Sequence, residues 1–399
     1  MPELVAMVAA LSALNALAID IMLPALPDIG ASFGLGSDND RQLVVVVYVM
    51  FFGVSQLVYG PLADAYGRRS VLVWALGLYC AGSVLAVIAP SFGLFLAARA
   101  LQGVGAAATR VIATSVVRDL MEGRRMAQVM SMAMTVFMVV PIVAPSLGQL
   151  VLFIAPWRWI FGALLIYALL VLAWTFLRLP ETLAPERRRP FRAPAIIGGF
   201  GEVLRSRQTV GYMAATLFMT ACLFGYITCS EQIFVDVFDL GEAFPLAFGS
   251  IAIAISIGNF LNSRFVVRFG MRRISHMMAL VFTFSAAMIA LVSALGGASF
   301  WVFTIQLACT FALFGLVSGN FNALAMQPVA HVAGSASALY GAVTATGGAV
   351  IGGLIARSFD GTVAPFALGL TLSGAAAILC VLWTERGKLM REGEHLTSV

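Results

Sequence analysis

Long runs of apolar residues alternate with short polar breaks along almost the whole chain. Each run is about 20 residues long, which is the length that an α-helix needs to cross the hydrocarbon core of a bilayer. The breaks contain the charges, prolines and glycines that end such helices. The pattern predicts twelve membrane-spanning helices, at residues 4–26, 41–63, 70–89, 92–117, 126–152, 158–178, 209–235, 244–266, 273–295, 299–326, 335–357 and 364–384.

The positions of the basic residues predict how these spans are oriented. With a cytoplasmic N-terminus, 19 of the 24 Lys and Arg residues fall in cytoplasmic segments, three fall outside, and two, Arg99 and Arg110, lie within a span. Cytoplasmic loops of membrane proteins carry this kind of positive excess. We therefore predict a multi-pass membrane protein with both termini in the cytoplasm.

Composition excludes several other classes of protein. Hydrophobic residues make up 61% of the chain and charged residues 11%, which is not compatible with a soluble globular protein. The net charge of +5 does not indicate nucleic-acid binding, because the arginines lie between apolar spans and not along one face. The five cysteines lie in apolar stretches without metal-ligand spacing, so we predict neither disulfides nor a metal site. No G-x-x-x-x-G-K-[ST] run is present, and we predict no cofactor.

The longest polar break divides the chain into two halves. We predict an N-terminal six-helix bundle at residues 1–178, a cytoplasmic linker at 179–208 and a C-terminal six-helix bundle at 209–399. The end of the linker, from Ile196 to Arg207, is either a short amphipathic helix on the inner leaflet or part of a disordered charged segment.

An internal repeat supports two pseudo-symmetric bundles. The loop after span two reads Asp64-Ala-Tyr-Gly67-Arg68-Arg69, and the loop after span eight reads Arg268-Phe-Gly270-Met-Arg272-Arg273. Both loops end a helix with glycine and a basic pair, but the second lacks the acidic residue. Parallel six-span repeats with a binding site at their interface are a known plan of membrane transporters.

Four stretches carry a family resemblance. They are Asp20-Ile-Met-Leu-Pro24-Ala-Leu-Pro27 in span one, Gly60 to Arg69 after span two, Arg99-Ala-Leu-Gln102-Gly103-Val-Gly105 in span four, and Pro141-Ile-Val-Ala-Pro145-Ser-Leu-Gly148 in span five. Through them the whole chain resembles the major facilitator superfamily, and within it the twelve-span drug:proton antiporters of the bicyclomycin/chloramphenicol-resistance group.

The resemblance carries expectations about fold and function. It implies an all-α membrane protein of the major facilitator fold, with 12 transmembrane helices in two pseudo-symmetric six-helix bundles. It implies a monomeric transporter of a bacterial inner membrane, not an enzyme, that exports small amphipathic drugs in exchange for protons by alternating access.

The loop after span two is expected to act as a cytoplasmic gate. Asp64 suits the amino end of a neighbouring helix, where free N–H groups favour an anion, and span eleven begins on the cytoplasmic side at Gly334. Arg68 is placed to pair with Asp119 at the end of span four. The resemblance implies a latch that involves Gly60, Asp64, Gly67, Arg68, Arg69 and Asp119. The alternative is that these charges only set the topology.

Asp20 is the leading candidate for proton coupling, because a carboxylate within a span usually faces a cavity or a partner. Asp20 lies roughly 24 Å from the cytoplasmic start of span one, and Arg99 about 10 Å from the outer start of span four. These depths agree in a core about 30 Å thick, so a contact between Asp20 and Arg99 is predicted. The resemblance gives Asp20 the proton or cationic-drug role and Arg99 the control of that proton. A fixed ion pair between the spans is the alternative.

Several residues are candidates for substrate contacts. Arg110 follows Arg99 by three helical turns and lies on nearly the same face of the helix. One interpretation is that Arg110 binds acidic groups of a substrate. The other is that its side chain extends to the cytoplasm or pairs with Asp119. Glu231, near the outer end of span seven, is either a second proton or cation site or an interfacial charge at the mouth. Neutral polar residues on spans that the family uses for its pocket are either substrate contacts or helix-packing residues: Asn15, Tyr48 and Gln102.

Span five carries Pro141 and Pro145 four residues apart, followed by Gly148. Prolines kink a helix, and the glycine allows another helix to approach closely. The resemblance ties this segment to the antiporter branch, with a role in sealing or bending the extracellular gate.

Two other functions remain open from the sequence. Arg99 and Arg110 prompt the first, a proton-linked transporter of one dedicated metabolite or organic anion. The second is a membrane sensor or scaffold that uses the fold without transport.

Overall fold

The computed structural model describes residues 2–188, 190–296 and 299–390, and in this part of the chain all regular structure is helical. Span one consists of two pieces separated by a turn and a 3-10 turn, α1 (Pro2–Asp20) and α2 (Leu26–Phe33). The next five spans are α3 (Leu43–Tyr66), α4 (Arg68–Ile88), α5 (Phe92–Leu120), α6 (Gly123–Ile154) and α7 (Arg158–Arg178).

A short helix, α8 (Ala193–Arg205), lies in the linker. The remaining spans are α9 (Arg207–Glu231), which continues as a π-helix at Gln232–Val237, α10 (Phe244–Phe269), α11 (Met271–Ala294), α12 (Phe300–Met326), α13 (Ala333–Arg357) and α14 (Ala364–Thr384). Of the two interpretations of the linker end, the structure therefore shows the helix.

The all-α membrane fold predicted from the sequence is confirmed. In the described residues, 11 helical stretches are long and apolar enough to cross a membrane. One of them, Phe300–Arg357, contains both α12 and α13 joined by the 3-10 turn Gln327–Val332, so twelve spanning segments result. The predicted boundaries differ by a few residues, because helices such as α6 extend beyond the apolar run into polar loop residues.

The chain forms two compact units. The first contains the residues up to Ile197 together with Leu240–Gly249, and the second contains Gly198–Asp239 together with the residues from Ser250 onward. The chain passes from the first to the second unit inside α8, which lies within the predicted linker. The segment Leu240–Gly249, which includes the start of α10, groups with the first unit although the sequence assigned it to the C-terminal bundle.

A close helix contact places α5 in the interior of the first unit. A side chain at Gly103 would overlap the Tyr48 carbonyl of α3, so only glycine permits this packing. In the second unit, α10 and α12 approach each other in the same way, and a side chain at Gly315 would lie 2.6 Å from the Ile255 carbonyl. The close packing of α3 on α5 surrounds Arg99 with protein.

Candidate functional site

The regular helix of span one ends at Asp20. Pro24 stands in the first turn of the 3-10 turn Leu23–Ala25, and Pro27 in the first turn of α2. Proline lacks a backbone N–H and fits the first turn of a helix, so these two positions start new short helices instead of continuing α1. The last carbonyl groups of α1 consequently need partners from elsewhere.

The Asp20 side chain is buried at this break. The residue is 3% exposed, and its Oδ1 atom is fully buried without a hydrogen-bond partner. Buried polar atoms in proteins are nearly always hydrogen-bonded, so this atom is one of a small set of exceptions among the described residues.

Arg99 supplies one of the partners that the end of α1 needs. Its side chain is fully buried, and Nη2 donates a hydrogen bond of 2.9 Å to the carbonyl of Ala18 in the last turn of α1. A cation at this position also complements the negative end of the helix dipole. Nε donates to the Val44 carbonyl of α3 at 3.1 Å, and Nη1 to Gln102 Oε1 at 2.8 Å. Arg99 thus joins spans one, two and four.

The predicted contact between Asp20 and Arg99 is not formed in this structure. The hydrogen bonds of Arg99 go to two carbonyls and one amide, and no ion pair joins it to Asp20. The physical reason is the helix break, which frees carbonyl acceptors within reach of the rigid guanidinium fork. The alternative of a fixed ion pair between spans one and four is not present either.

The neutral polar candidates gather around Arg99. The guanidinium lies 4.4 Å from the ring centre of Tyr48, whose hydroxyl donates to Asn15 Oδ1 at 2.9 Å. Gln102 Nε2 donates to Ser83 Oγ at 2.8 Å. All of these side chains are buried in the first unit and bond to one another. In this arrangement they position Arg99, while contact with a substrate stays a prediction.

Gly148 packs directly against the break in span one. A side chain at this position would overlap the Ile21 carbonyl and lie 3.2 Å from the Pro24 ring. The close helix approach that the sequence predicts at Gly148 is therefore present. Helix α6 continues through Pro141 and Pro145, and Pro145 is buried.

Two further candidates are not members of this cluster. Arg110 is exposed on α5 whereas Arg99 is fully buried, and the two predicted roles of Arg110, a substrate contact or a contact with the cytoplasm or Asp119, stay predictions. Glu231 is fully buried at the last residue of α9, where the helix changes to a π-helix. Glu231 is therefore not an exposed charge, and its two predicted roles, a second proton or cation site or an interfacial charge at the mouth, stay predictions. Irregular π segments of this kind are frequent at functional sites.

A second group of charged residues lies where α3 meets α4 in the first unit. Arg68 Nε pairs with Asp119 Oδ2 at 3.1 Å, as the sequence predicts, and Arg68 Nη1 pairs with Asp64 Oδ1 at 2.5 Å. Arg69 donates to the Phe176 carbonyl at 2.6 Å. Gly67 has a φ of 98°, a backbone conformation that favours glycine. It is the single residue between the end of α3 and the start of α4. The contact predicted between Asp64 and span eleven stays a prediction.

Sequence reasoning missed Glu181. Its Oε1 accepts hydrogen bonds from the backbone N–H groups of Arg68 at 2.8 Å and Leu183 at 3.1 Å. The carboxylate thus caps the N-terminus of α4 from a distant part of the chain. The signal in the sequence was the glutamate of the Pro-Glu-Thr run directly after span six. We predicted this run to be part of the linker.

The second unit contains a counterpart of this group. Arg272 Nε pairs with Glu385 Oε1 at 2.9 Å, and the Tyr212 hydroxyl donates to the same oxygen at 2.6 Å. His276 Nε2 lies 2.9 Å from the Tyr212 hydroxyl, and His276 Nδ1 accepts from the Met390 N–H at 3.1 Å. The acid that the second loop lacks is thus supplied by Glu385, just after α14.

Comparisons with known proteins agree with this architecture. A profile of the Major Facilitator Superfamily matches residues 8–352. A bicyclomycin resistance protein homolog of Haemophilus influenzae is 29% identical over 93% of this chain and 92% of its own. The multidrug resistance protein MdtL of Shewanella oneidensis is 27% identical over 81% of each chain.

A solved structure shows the same fold. The crystal structure of a D-xylose-proton symporter superposes with a TM-score of 0.76 over 98% of both chains, at 14% identity, which is a likeness of fold alone. The family match covers most of the chain, and the sequence-based prediction is confirmed. This chain belongs to the Major Facilitator Superfamily, and it is a membrane transporter and not an enzyme.

Proposed function

We propose that this transporter exports small amphipathic, drug-like molecules in exchange for protons. The names of the two relatives, a bicyclomycin resistance protein homolog and a multidrug resistance protein, support a drug-like substrate. The excess of basic residues in alternate loops supports a bacterial inner membrane location with both termini in the cytoplasm. One chain contains both six-helix halves, which supports function as a monomer.

The observation that carries the proposal is the state of Asp20. An ionised carboxylate that is buried without a cation costs several kcal/mol, and a neutral acid costs far less. Arg99, the cation of this cluster, is bonded to carbonyl groups instead of to Asp20. The arrangement therefore suits the proton-loaded form of the transporter.

Loss of the proton changes which acceptor Arg99 prefers. A carboxylate is a stronger hydrogen-bond acceptor for a guanidinium than a neutral carbonyl is. A move of Arg99 from the Ala18 carbonyl to Asp20 removes the partner that holds the last turn of α1. Proton release thus alters the end of the regular helix in span one, and this change links the proton to alternating access.

The charged group around Arg68 provides the cytoplasmic gate in this scheme. Its members are the predicted residues Asp64, Gly67, Arg68, Arg69 and Asp119, together with Glu181, and Gly60 precedes them in the last two turns of α3. Their contacts tie the ends of α3, α4 and α5 to the segment after α7. The gate opens when these contacts exchange for water.

The membrane potential is a sufficient energy source for such exchange. Moving one charge across 100 mV yields about 2.3 kcal/mol. Since about 1.4 kcal/mol corresponds to a tenfold ratio, one proton for each substrate sustains a concentration ratio of a few tens.

The experiment is proton exchange in vesicles that contain the purified protein. Substrate-induced proton release is measured with a pH-sensitive dye across a panel of cationic, neutral and anionic drugs that includes bicyclomycin. We expect Asp20→Asn to abolish proton-driven transport and to retain substrate-for-substrate exchange, and Asp20→Glu to retain part of both. Asp28→Asn, which changes an exposed carboxylate of α2, serves as the matched control. Undiminished proton-driven transport in Asp20→Asn would remove Asp20 from the mechanism.

One observation favours a second candidate, transport of an organic anion. Arg110 is exposed on α5, where a guanidinium is able to bind a carboxylate or phosphate of a substrate. The same panel separates the two functions. A single acidic substrate, whose transport Arg110→Gln abolishes, establishes the anion transporter, and several unrelated substrates establish drug export.

A further inference from the structure

Helix α8 has two different sides. On the docked side, Val203 is fully buried and packs with Val329 and Ala336 in the second unit. Glu202 pairs with His331 on the same side, and a side chain at Gly199 would lie 2.6 Å from Ser335 Oγ. These contacts fix α8 to the start of α13.

The other side of α8 exposes large apolar residues. Ile197 is 67% exposed and Leu204 is 54% exposed. Residues seven apart on a helix lie on nearly the same face, so the two side chains form one apolar stripe. Phe191, two residues before the helix, is 46% exposed and extends the apolar surface.

A neighbouring contact indicates the level of α8 relative to the membrane. Arg207, two residues beyond the helix, lies with its guanidinium 4.9 Å from the ring centre of Trp383 and donates to the Trp383 carbonyl. Trp383 is half exposed near the end of the last span. Exposed tryptophans at span ends typically mark the headgroup level, so the end of α8 lies at the membrane surface.

Basic residues flank the stripe at both ends. Arg188 and Arg192 precede α8, Arg205 ends it, and all three are exposed. The acidic residue within the helix, Glu202, is engaged with His331 on the docked side. The exposed side of α8 therefore combines apolar and basic groups, which is the composition of helices that bind anionic membrane surfaces.

We propose that α8 binds anionic phospholipid of the cytoplasmic leaflet. Ile197 and Leu204 insert among the acyl chains, and Arg192 and Arg205 contact the lipid phosphates. Because the docked side holds the start of α13, the lipid is attached through α8 to the cytoplasmic end of span eleven. The lipid thus stabilises one position of that end, whatever the substrate of the transporter is.

The first test measures the depth of α8 by spin labelling, without any transport readout. Single cysteines replace Ile197, Leu204 or the control Gly198 in a protein whose five native cysteines are substituted, and each carries a nitroxide. Gly198 points about 100° away from Ile197, and the structure leaves open space for a side chain there. Collision rates with oxygen and with a water-soluble nickel chelate are compared in phosphatidylcholine vesicles with and without phosphatidylglycerol.

We expect phosphatidylglycerol to raise the ratio of oxygen to nickel collisions several-fold at positions 197 and 204, and to leave position 198 in water. Labels at 197 and 204 that stay in water with phosphatidylglycerol would overturn the proposal. The same depth in both kinds of vesicle would also overturn it, because the lipid charge would then have no role. Burial of these labels already in detergent would assign the stripe to a second copy of the chain instead.

The second test removes the basic groups. Arg192→Gln combined with Arg205→Gln is expected to abolish the effect of phosphatidylglycerol on the labels. Arg125→Gln, which removes an exposed cytoplasmic arginine on α6, is the matched control and is expected to leave the effect unchanged. An undiminished effect in the double variant would contradict the assignment of the phosphate contacts.

Discussion

The charged cluster around Arg68 in the first unit and the one around Arg272 in the second share a plan. In each, a glycine with positive φ, 98° at Gly67 and 78° at Gly270, separates two spanning helices. In each, an arginine or its backbone bonds a glutamate that follows the last span of the unit. Glu181 and Glu385 both stand 113 residues after their arginine partners, Arg68 and Arg272. This equal spacing shows the internal repeat more clearly than the loop sequences do.

The two clusters differ in the groups that surround the arginine. The side chain of Arg68 pairs with two carboxylates, Asp64 and Asp119. Arg272 pairs with one carboxylate, which the Tyr212 hydroxyl also bonds, and His276 extends this group towards Met390. In the first cluster two carboxylates share one arginine, whereas in the second a single carboxylate is shared between an arginine and a hydroxyl group. One repeat has thus produced two junctions with different responses to charge and salt.

The largest difference is expected between alanine substitutions of the two glycines. Gly67→Ala and Gly270→Ala each force a left-handed backbone that costs about 1 to 2 kcal/mol. At Gly67 the new methyl group also overlaps Glu181 and removes its cap on α4, which costs about 1 kcal/mol more. At Gly270 no atom lies within 4 Å of the added carbon. Thermal denaturation in detergent compares the variants, and equal losses would show that Glu181 moves aside without cost.

Removal of the arginines is expected to have the next largest effect. Arg68→Gln leaves two partly buried carboxylates without their cation and should lower the free energy of unfolding by about 2 to 3 kcal/mol. Arg272→Gln leaves Glu385 bonded to Tyr212 and should cost about 1 kcal/mol. Denaturant titration of both variants in the same detergent measures the two losses. A larger loss for Arg272→Gln would show that the Tyr212 hydroxyl does not compensate Glu385 for the lost cation.

The salt dependence of protein stability is a further test of the difference between the two clusters. Asp119→Asn is expected to destabilise the protein by about 1 kcal/mol at low ionic strength, and by less at high salt because the ion pair is partly exposed. Tyr212→Phe should cost about 1 kcal/mol at any salt concentration, since it removes a buried hydrogen bond. The measurement is the denaturation midpoint of each variant at low and high salt. A strong salt dependence of Tyr212→Phe would contradict this picture.

The smallest effect is expected at an exposed ion pair near the same surface. Arg178 and Glu3 pair at 2.7 Å, but both side chains are largely exposed. Glu3→Gln should leave the denaturation midpoint unchanged, because water solvates both charges when they separate. A clear loss of stability would show that an exposed ion pair stabilises the protein as the partly buried pairs of Arg68 and Arg272 do.

The sequence predicted the spans and their number because these signals are local. A run of apolar residues indicates a membrane helix without reference to the rest of the chain. Asp20, Arg99 and Gly148 were predicted as candidate functional residues for the same reason, because each belongs to a motif within a single span. The pairing of Asp20 with Arg99 is not formed in this structure, because the guanidinium bonds the Ala18 and Val44 carbonyls and Gln102 instead. Glu181 and Glu385 were missed because their partners are distant in the chain.

The fit between Gly148 and Ile21 also couples α6 to the break in span one. No side chain fits between Gly148 and the turn at Ile21, so a shift of this turn displaces α6 at Gly148. Helix α6 is 32 residues long, and its first residue, Gly123, lies about 37 Å from Gly148 along the axis. Pro141 and Pro145 lie between these two points, so bending at the prolines determines how much of a shift near Asp20 reaches the first turn of α6.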